Sequence, residues 1–78
     1  MLLINNVMDK TIRYSNHAVK RIFERDINEK QIEQTIRFPD YTKTSFEGKK
    51  VAVKKFDEKT INVVYIEKET HIKIITIY

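Results

Sequence analysis

The chain contains no cysteine and only one glycine and one proline. The lack of cysteine excludes disulfides, thiolate metal sites and cysteine nucleophiles, and it suits a reducing compartment such as the cytoplasm. A glycine-rich phosphate loop and a serine nucleophile elbow each need more than one glycine, so the common NTPase and hydrolase motifs are excluded as well. No cofactor is expected.

A membrane segment and a metal-binding pattern are also missing. No apolar run approaches the roughly 20 residues that span a bilayer, and the apolar stretch at 1–4 is too short for a signal peptide. The two histidines lie far apart, and the carboxylates are scattered among lysines without the spacing of metal ligands. We therefore expect neither a membrane protein nor a metalloenzyme.

What the chain does contain is typical of one small globular domain over residues 1–78. It is 41% hydrophobic and 33% charged, and its 15 lysines and arginines against 11 acidic residues give a net charge of +4. A core of this size leaves little stability to spare, so a homodimer or a protein partner is expected. The positive charge favours a polyanion such as RNA, but solubility alone explains it equally well.

Two helices are predicted in the first half of the chain. Ser15 is a favourable N-cap for a helix over 16–25, where apolar residues recur at helical spacing. Asn28 opens a capping-box pattern for a second helix, which Pro39 ends near Phe38. The predicted buried side of the first helix consists of Ala18, Val19, Ile22 and Phe23.

The second half has the composition of β-strands. Residues that are β-branched or aromatic form short runs at 41–46, 50–56, 61–67 and 71–78. The gaps have hairpin length, so neighbouring strands are antiparallel. The predicted fold is α+β, with two N-terminal helices packed on one face of a four-stranded antiparallel β-meander. Both faces of the last two strands are apolar, which places them centrally or against a partner.

The start of the chain is less informative. Residues 11–14 alternate polar and apolar side chains, as a short strand or an extended lead-in to the first helix would. Residues 1–10 are not assigned to any element. The first element that the sequence assigns is therefore the helix over 16–25.

A basic stripe runs along the first helix. His17, Arg21 and Arg25 follow one another at intervals of four and flank the predicted buried side. Histidine exchanges protons near neutral pH, and arginine presents a planar fork of donors that suits phosphate. The stripe therefore suits a phosphodiester substrate. The alternative is a structural role in which the arginines pair with nearby carboxylates.

The sheet supplies a second group of candidates, which comprises Tyr65, His71, Thr76 and Tyr78. RNA cleavage without a metal needs a base for the 2′-hydroxyl, an acid for the 5′-oxygen and cations for the charged phosphorane. These residue types suffice for that chemistry. Each of them is equally suited to the core, to a cross-strand pair or to an exposed turn.

A lysine-rich strand offers contacts to a nucleic acid. Lys50, Lys54 and Lys55 could follow a phosphate backbone, with Tyr41 or Phe46 as platforms on which bases stack. A solvated strand face has the same composition, so the pattern alone leaves both interpretations open.

The first helix also carries a family signature. The run at 15–27 resembles the S-x-H-A-x-x-R-x-x-E-R-x-I…P-[DE] pattern of domain-of-unknown-function family 4258. The resemblance covers roughly residues 11–78 and leaves 1–10 outside. Its further matches are Ile32, Ile36, Pro39, Asp40, Val63, Val64, Tyr65 and the strand at 74–78.

That family is similar to the RelE-type ribonuclease toxins, which have two N-terminal helices packed on a four-stranded antiparallel sheet. The resemblance implies a metal-independent endoribonuclease of toxin–antitoxin type, with RNA as substrate and a small acidic antitoxin as partner. It implies catalytic roles for His17, Arg21, Tyr65 and Thr76. Arg25 corresponds to the second arginine of the pattern and is expected, with the strand lysines, to contact RNA.

One position departs from the family pattern. Asp26 stands where the family usually has glycine, and its carboxylate is expected to hold Arg25 in a local ion pair. Two other functions stay open: a non-catalytic module of the same fold that binds nucleic acid or protein, and an interaction subunit that dimerises through an apolar sheet face.

Overall fold

Two helices lie on one face of a five-stranded sheet in the computed structural model, which describes residues 10–78. The elements in chain order are β1 (Thr11–Tyr14), α1 (Asn16–Glu24), α2 (Glu29–Arg37), β2 (Tyr41–Thr44), a 3-10 turn (Phe46–Gly48), β3 (Lys50–Phe56), β4 (Lys59–Glu67) and β5 (His71–Ile77). The strands are arranged in the order β1-β5-β4-β3-β2. The α+β class and both helices are therefore confirmed.

The sheet is mixed, because β1 joins it as a fifth strand. Strands β2 to β5 form the predicted antiparallel meander. The prediction of four strands is wrong, since β1 pairs in parallel with β5. A parallel partner lies far away in the sequence, so the alternation at 11–14 cannot identify it. β5 is thus an interior strand, but the prediction that both of its faces are apolar is wrong. The register shift between β4 and β5 brings Ile72, Ile74 and Ile77 together in the core, and it leaves His71, Lys73 and Thr76 on the other face.

Ser15 joins the first helix to the sheet. Its Oγ accepts a hydrogen bond from the Ala18 N–H at 3.0 Å, which is the predicted N-cap. The same hydroxyl donates to the Ile75 carbonyl at 2.8 Å, and the Ser15 N–H donates to the Ile74 carbonyl at 3.0 Å. The start of α1 is thereby fixed beside β5.

The second helix has the predicted ends. Asn28 Oδ1 accepts from the Gln31 N–H at 2.9 Å, and Gln31 Oε1 accepts from the Asn28 N–H at 3.2 Å, which completes the capping box. Phe38, just before Pro39, is the C-cap. The Phe38 carbonyl accepts from Lys54 Nζ at 2.8 Å, so β3 holds the end of α2.

The core lies between the helices and one side of the sheet, which we call the helix face. Both helices pack into a single apolar cluster with alternate residues of the strands, so both lie on the same face. The buried members of this cluster are Ala18, Ile27, Ile32, Ile36, Ala52, Ile61, Val63, Tyr65, Ile72, Ile74 and Ile77. Burial of these aliphatic side chains is the main source of stability.

The buried side of α1 is narrower than predicted. Ala18 is fully buried and Ile22 packs partly against the core, but Val19 is 41% exposed and Phe23 is 80% exposed. The expectation that all four side chains are buried is wrong for these two. The reason is that α1 packs mainly against β5 and β1, at the edge of the sheet, which covers only one stripe of the helix.

The opposite side of the sheet, which we call the helix-free face, carries no helix of the described chain. Cross-strand partners share a face, so the register identifies its members. They are Thr11, Arg13, Tyr41, Lys43, Val51, Val53, Lys55, Thr60, Asn62, Val64, Ile66, His71, Lys73 and Thr76. This face has an apolar centre and basic residues towards its margins.

Candidate functional site

The first two residues of the basic stripe are in contact. Arg21 Nε donates a long hydrogen bond of 3.4 Å to His17 Nε2, and Arg21 Nη1 lies 3.6 Å from Glu24 Oε1. In this contact the guanidinium is the donor and the imidazole nitrogen is the acceptor. His17 is exposed on the first turn of α1. A proton acceptor and a phosphate-binding group therefore lie side by side.

Arg25 is the C-cap residue of α1, and its backbone N–H donates to the Arg21 carbonyl at 2.9 Å. It is exposed, and no ion pair joins it to Asp26 within the part of the chain that the structure describes. The expected local ion pair is therefore absent there. Asp26 instead adopts a left-handed conformation, with φ of 52°, and its backbone carbonyl accepts from Lys59 Nζ at 3.1 Å. That conformation favours glycine, the residue that the resemblance led us to expect at this position.

Tyr65 lies on the helix face, 4% exposed, directly opposite Lys50 on β3. Burial raises the pKa of the Tyr65 hydroxyl, and the nearby Lys50 ammonium offsets part of that rise. The phenol is therefore protonated at neutral pH and can donate a hydrogen bond or a proton. It is unsuited to act as a base.

A carboxylate holds the lysines beside Tyr65. Glu67 Oε1 accepts from Lys50 Nζ at 3.2 Å, and Glu67 Oε2 accepts from Lys10 Nζ at 3.0 Å. Lys10 also donates to the Lys68 carbonyl at 2.8 Å. The hydrogen bond from Lys10 holds the pKa of the Glu67 carboxyl below its ordinary value, with a further contribution from Lys50. This network neutralises Lys50 from within the protein.

A cavity of about 560 Å³ opens beside Lys50 and Tyr65. Its lining is completed by Thr42, Lys43 and Thr44. Hydroxyls and ammonium groups of this kind bind ribose and phosphate oxygens well. The cavity lies at the β2 edge of the sheet, where Lys50 and Tyr65 face the helix side and Lys43 faces the other side. The helix that carries His17 packs against β5 and β1, at the opposite edge.

The four predicted catalytic residues do not face one centre. Thr76 pairs with Val64 on the helix-free face, whereas Tyr65 pairs with Ile74 on the helix face. The two side chains therefore point to opposite sides of the sheet. His17, Arg21 and Tyr65 lie on the helix side, and Thr76 alone lies on the other.

The three predicted RNA-binding lysines also divide between the faces. Lys50 is bonded to Glu67, and Lys54 donates to the Phe38 carbonyl and lies 3.8 Å from Asp40 Oδ1. These two lysines hold parts of the fold together. Lys55 points to the helix-free face, where it is exposed.

Besides Lys55, the helix-free face holds three cations that the sequence did not single out. Its strand positions carry four side chains with permanent positive charge and, within residues 10–78, no aspartate or glutamate. The four are Arg13, Lys43, Lys55 and Lys73, and all are exposed. The isoleucines on both sides of Lys73 are a local signal that its side chain points away from the core, but only the parallel pairing shows that Arg13 lies beside it.

Of the remaining aromatic and histidine candidates, Tyr41 and His71 lie on this face. Tyr41 is exposed and lies on it, opposite Val53, while Phe46 is exposed in the 3-10 turn. Tyr78 is about half exposed at the end of β5. His71 is half-buried at the start of β5, with Nδ1 3.2 Å from Thr70 Oγ1.

The electrostatics of His71 follow from its neighbours. Partial desolvation lowers the pKa of its imidazole, and the positive charges of Arg13, Lys68 and Lys73 lower it further.

No group of three possible metal ligands comes together within residues 10–78. No helix in the described chain is long and apolar enough to cross a membrane.

Comparisons with known proteins give one result. A family model with the description "Domain of unknown function (DUF4258)" matches residues 14–78. No curated protein and no solved structure matches the chain.

Proposed function

The chain belongs to the DUF4258 family, and we propose that it is a metal-independent endoribonuclease of toxin–antitoxin type. The observation that carries this proposal is the contact between an imidazole and a guanidinium on α1, at 3.4 Å between His17 Nε2 and Arg21 Nε. Cleavage of a phosphodiester needs a group that transfers protons and a cation that stabilises the charge on the phosphate, and these two residues provide both.

The proposed reaction is an internal transesterification. His17 accepts the proton of the 2′-hydroxyl, and the 2′-oxygen attacks the adjacent phosphorus. The bond from phosphorus to the 5′-oxygen breaks, and a proton passes to that oxygen. The products are a 2′,3′-cyclic phosphate and a 5′-hydroxyl, so no metal, oxidant or water is consumed.

Arg21 holds the non-bridging phosphate oxygens in this scheme. Its contact with Glu24 is long and partly exposed, so an incoming phosphate competes with it readily. Tyr65 is the candidate proton donor from the sheet, because burial keeps its phenol protonated. Thr76 faces away from this side and takes no part in the scheme.

The proposal extends to fold relationship and partner. The two helices packed on one face of the β2–β5 meander support a relationship to the RelE-type ribonuclease toxins. The net charge of +4 supports a small acidic antitoxin as the protein partner. We place the protein in the cytoplasm, where such a pair and its RNA would meet.

A second candidate function is favoured by one observation. Tyr65 and Thr76 lie on opposite faces, while the helix-free face presents four cations without a carboxylate on its described strands. A non-catalytic module that binds RNA through that face would have this arrangement.

Incubation with mixed-sequence RNA in EDTA separates the two functions. We expect the wild type to produce fragments that end in a 2′,3′-cyclic phosphate, and His17→Ala or Arg21→Ala to lower the rate by about 10²–10⁴-fold. Lys20→Ala is the matched control, because it removes a charge from the exposed side of α1. Intact RNA with a salt-sensitive mobility shift would instead support the binding module.

A further inference from the structure

We infer that Arg13, His71 and Lys73 form a binding site for the phosphate groups of single-stranded RNA, at the β1–β5 margin of the helix-free face. This inference takes its substrate class from the proposed function and adds a location for the RNA backbone, away from the His17–Arg21 pair.

The strand register brings the three side chains together. The parallel pairing of β1 with β5 sets Thr11 opposite His71 and Arg13 opposite Lys73. Alternation places all of these side chains on the helix-free face. Two like charges directly opposite each other destabilise a sheet unless a counterion lies between them. Arg13 and Lys73 have no carboxylate partner within residues 10–78.

Elsewhere in the fold, two lysines are neutralised by a carboxylate of the protein itself. Lys10 and Lys50 share the carboxylate of Glu67, at 3.0 and 3.2 Å. The Arg13–Lys73 pair has no such carboxylate among the described residues. Its two positive charges can therefore bind an anion that is not part of the protein. A phosphate can accept hydrogen bonds from both side chains at once.

The rest of the face explains the choice of a polymer over a single small anion. Lys43 lies on β2, at the opposite margin from Arg13, and Lys55 lies on β3. Four strand spacings of about 4.8 Å separate β1 from β2, which is roughly 19 Å. A flexible nucleic-acid strand that crosses the sheet can meet cations at both margins, and the exposed ring of Tyr41 offers a base a stacking surface.

His71 makes the site sensitive to pH. Its Nδ1 faces Thr70 Oγ1, which leaves Nε2 for an anion. The charged groups that face it are Arg13 from β1, Lys68 from the preceding turn and Lys73 from β5, and they lower its pKa together with desolvation. The imidazole is therefore neutral near pH 7 and gains its charge as the pH falls. Binding of an anion favours that protonation, so affinity should rise on acidification.

The test uses a fluorescein-labelled 2′-O-methyl RNA oligonucleotide, which lacks the 2′-hydroxyl and cannot be cut by the proposed reaction. Fluorescence anisotropy at several salt concentrations gives the affinity and its salt slope. We expect Arg13→Gln with Lys73→Gln to weaken binding and to reduce the slope of log K against log salt by about 1.4, for two phosphate contacts on a single strand. Lys20→Gln with Lys30→Gln, two exposed helix positions, is the charge-matched control.

A pH series then tests the histidine. The wild type should bind more tightly at pH 5.5 than at pH 8, and His71→Gln should lose most of that difference. An unchanged pH response in His71→Gln would remove the residue from the site. Wild-type affinity and slope in the Arg13→Gln, Lys73→Gln double variant would overturn the site as a whole, as would the absence of binding by the wild type.

Two further results distinguish this site from the proposed enzyme. If the site variant binds and cuts unmodified RNA like the wild type, the enzyme stands and the site is wrong. If the wild type cuts nothing but binds the oligonucleotide through Arg13 and Lys73, the site stands and the enzyme is wrong. Preferential competition by polyglutamate would instead assign the surface to an acidic protein and overturn the RNA assignment.

Discussion

Lysine has different roles on the two faces of the sheet. On the helix face, Lys50 is bonded to Glu67 and Lys54 to the Phe38 carbonyl. On the helix-free face, Lys43, Lys55 and Lys73 are exposed, with no carboxylate on the described strand positions around them. A net positive charge therefore says little by itself about binding. What matters is whether the protein neutralises each cation internally.

Our proposal separates stability and recognition in the same way. The helix face contains the apolar cluster with both helices. The helix-free face lies outside that cluster and carries the exposed charges of Arg13, Lys43, Lys55 and Lys73. Changes on the helix face should therefore lower the free energy of unfolding, and changes on the other face should alter binding to polyanions.

The largest contrast in stability is expected between two isoleucines. Ile74→Ala removes a fully buried side chain from the core cluster and should lower the free energy of unfolding by about 2–5 kcal/mol. Ile66→Ala, at a half-buried position on the helix-free face, should lower it by about 1 kcal/mol. Urea denaturation followed by circular dichroism measures both. Equal losses would mean that the two faces contribute alike.

A smaller effect is expected at the carboxylate that joins Lys10 to Lys50. Glu67→Gln should destabilise the fold by roughly 1–3 kcal/mol, because Lys10 is buried and loses an ionic partner. The pH dependence of the stability difference between the wild type and Glu67→Gln tests this assignment.

The pKa of Glu67 is lowered in the folded protein, so its stabilisation is present above the ordinary pKa near 4.5 and is lost as the pH falls through the lower folded value. Urea midpoints of the wild type and Glu67→Gln should therefore differ by a constant amount above about pH 5 and converge below pH 4.5. A difference that persists unchanged at pH 3 would contradict the assigned network.

The smallest effect is expected at a helix cap on the helix side. Asn28→Ala removes the capping-box side chain and should cost about 1 kcal/mol, seen as a lower melting temperature. RNA affinity and its salt slope should stay unchanged at a temperature where the variant is folded. Asn28→Ser, which keeps a capping oxygen, should recover most of the loss. A weaker salt slope in Asn28→Ala would mean that stability and binding are coupled.

Much of this fold can be predicted from local patterns. The caps at Ser15 and Asn28 and the stop before Pro39 are short-range features, and all three are found where the sequence places them. Hairpin-length gaps likewise determine the antiparallel order of β2 to β5. The parallel pairing of β1 depends on contacts between distant segments, which short-range patterns do not contain.

The candidate site shows the same limit. The contact between His17 and Arg21 follows from their spacing on one helix. The separation of Tyr65 from Thr76 depends on a register shift beside Tyr65, and the meeting of Arg13 with Lys73 depends on β1. Neither feature has a local signature. The exposure of Phe23 also could not be read from helical periodicity, because it depends on where α1 lies on the sheet.

Our proposal assigns catalysis to the helix side and RNA binding to the helix-free face. Steady-state kinetics of RNA cleavage test this assignment most directly. His17→Ala and Arg13→Gln with Lys73→Gln are compared with the wild type on one RNA substrate. The helix-side variant should lower kcat by about 10²-fold or more with little change in KM, and the helix-free variant should raise KM with little change in kcat. If both variants lower kcat alike, or if neither differs from the wild type, the account is contradicted.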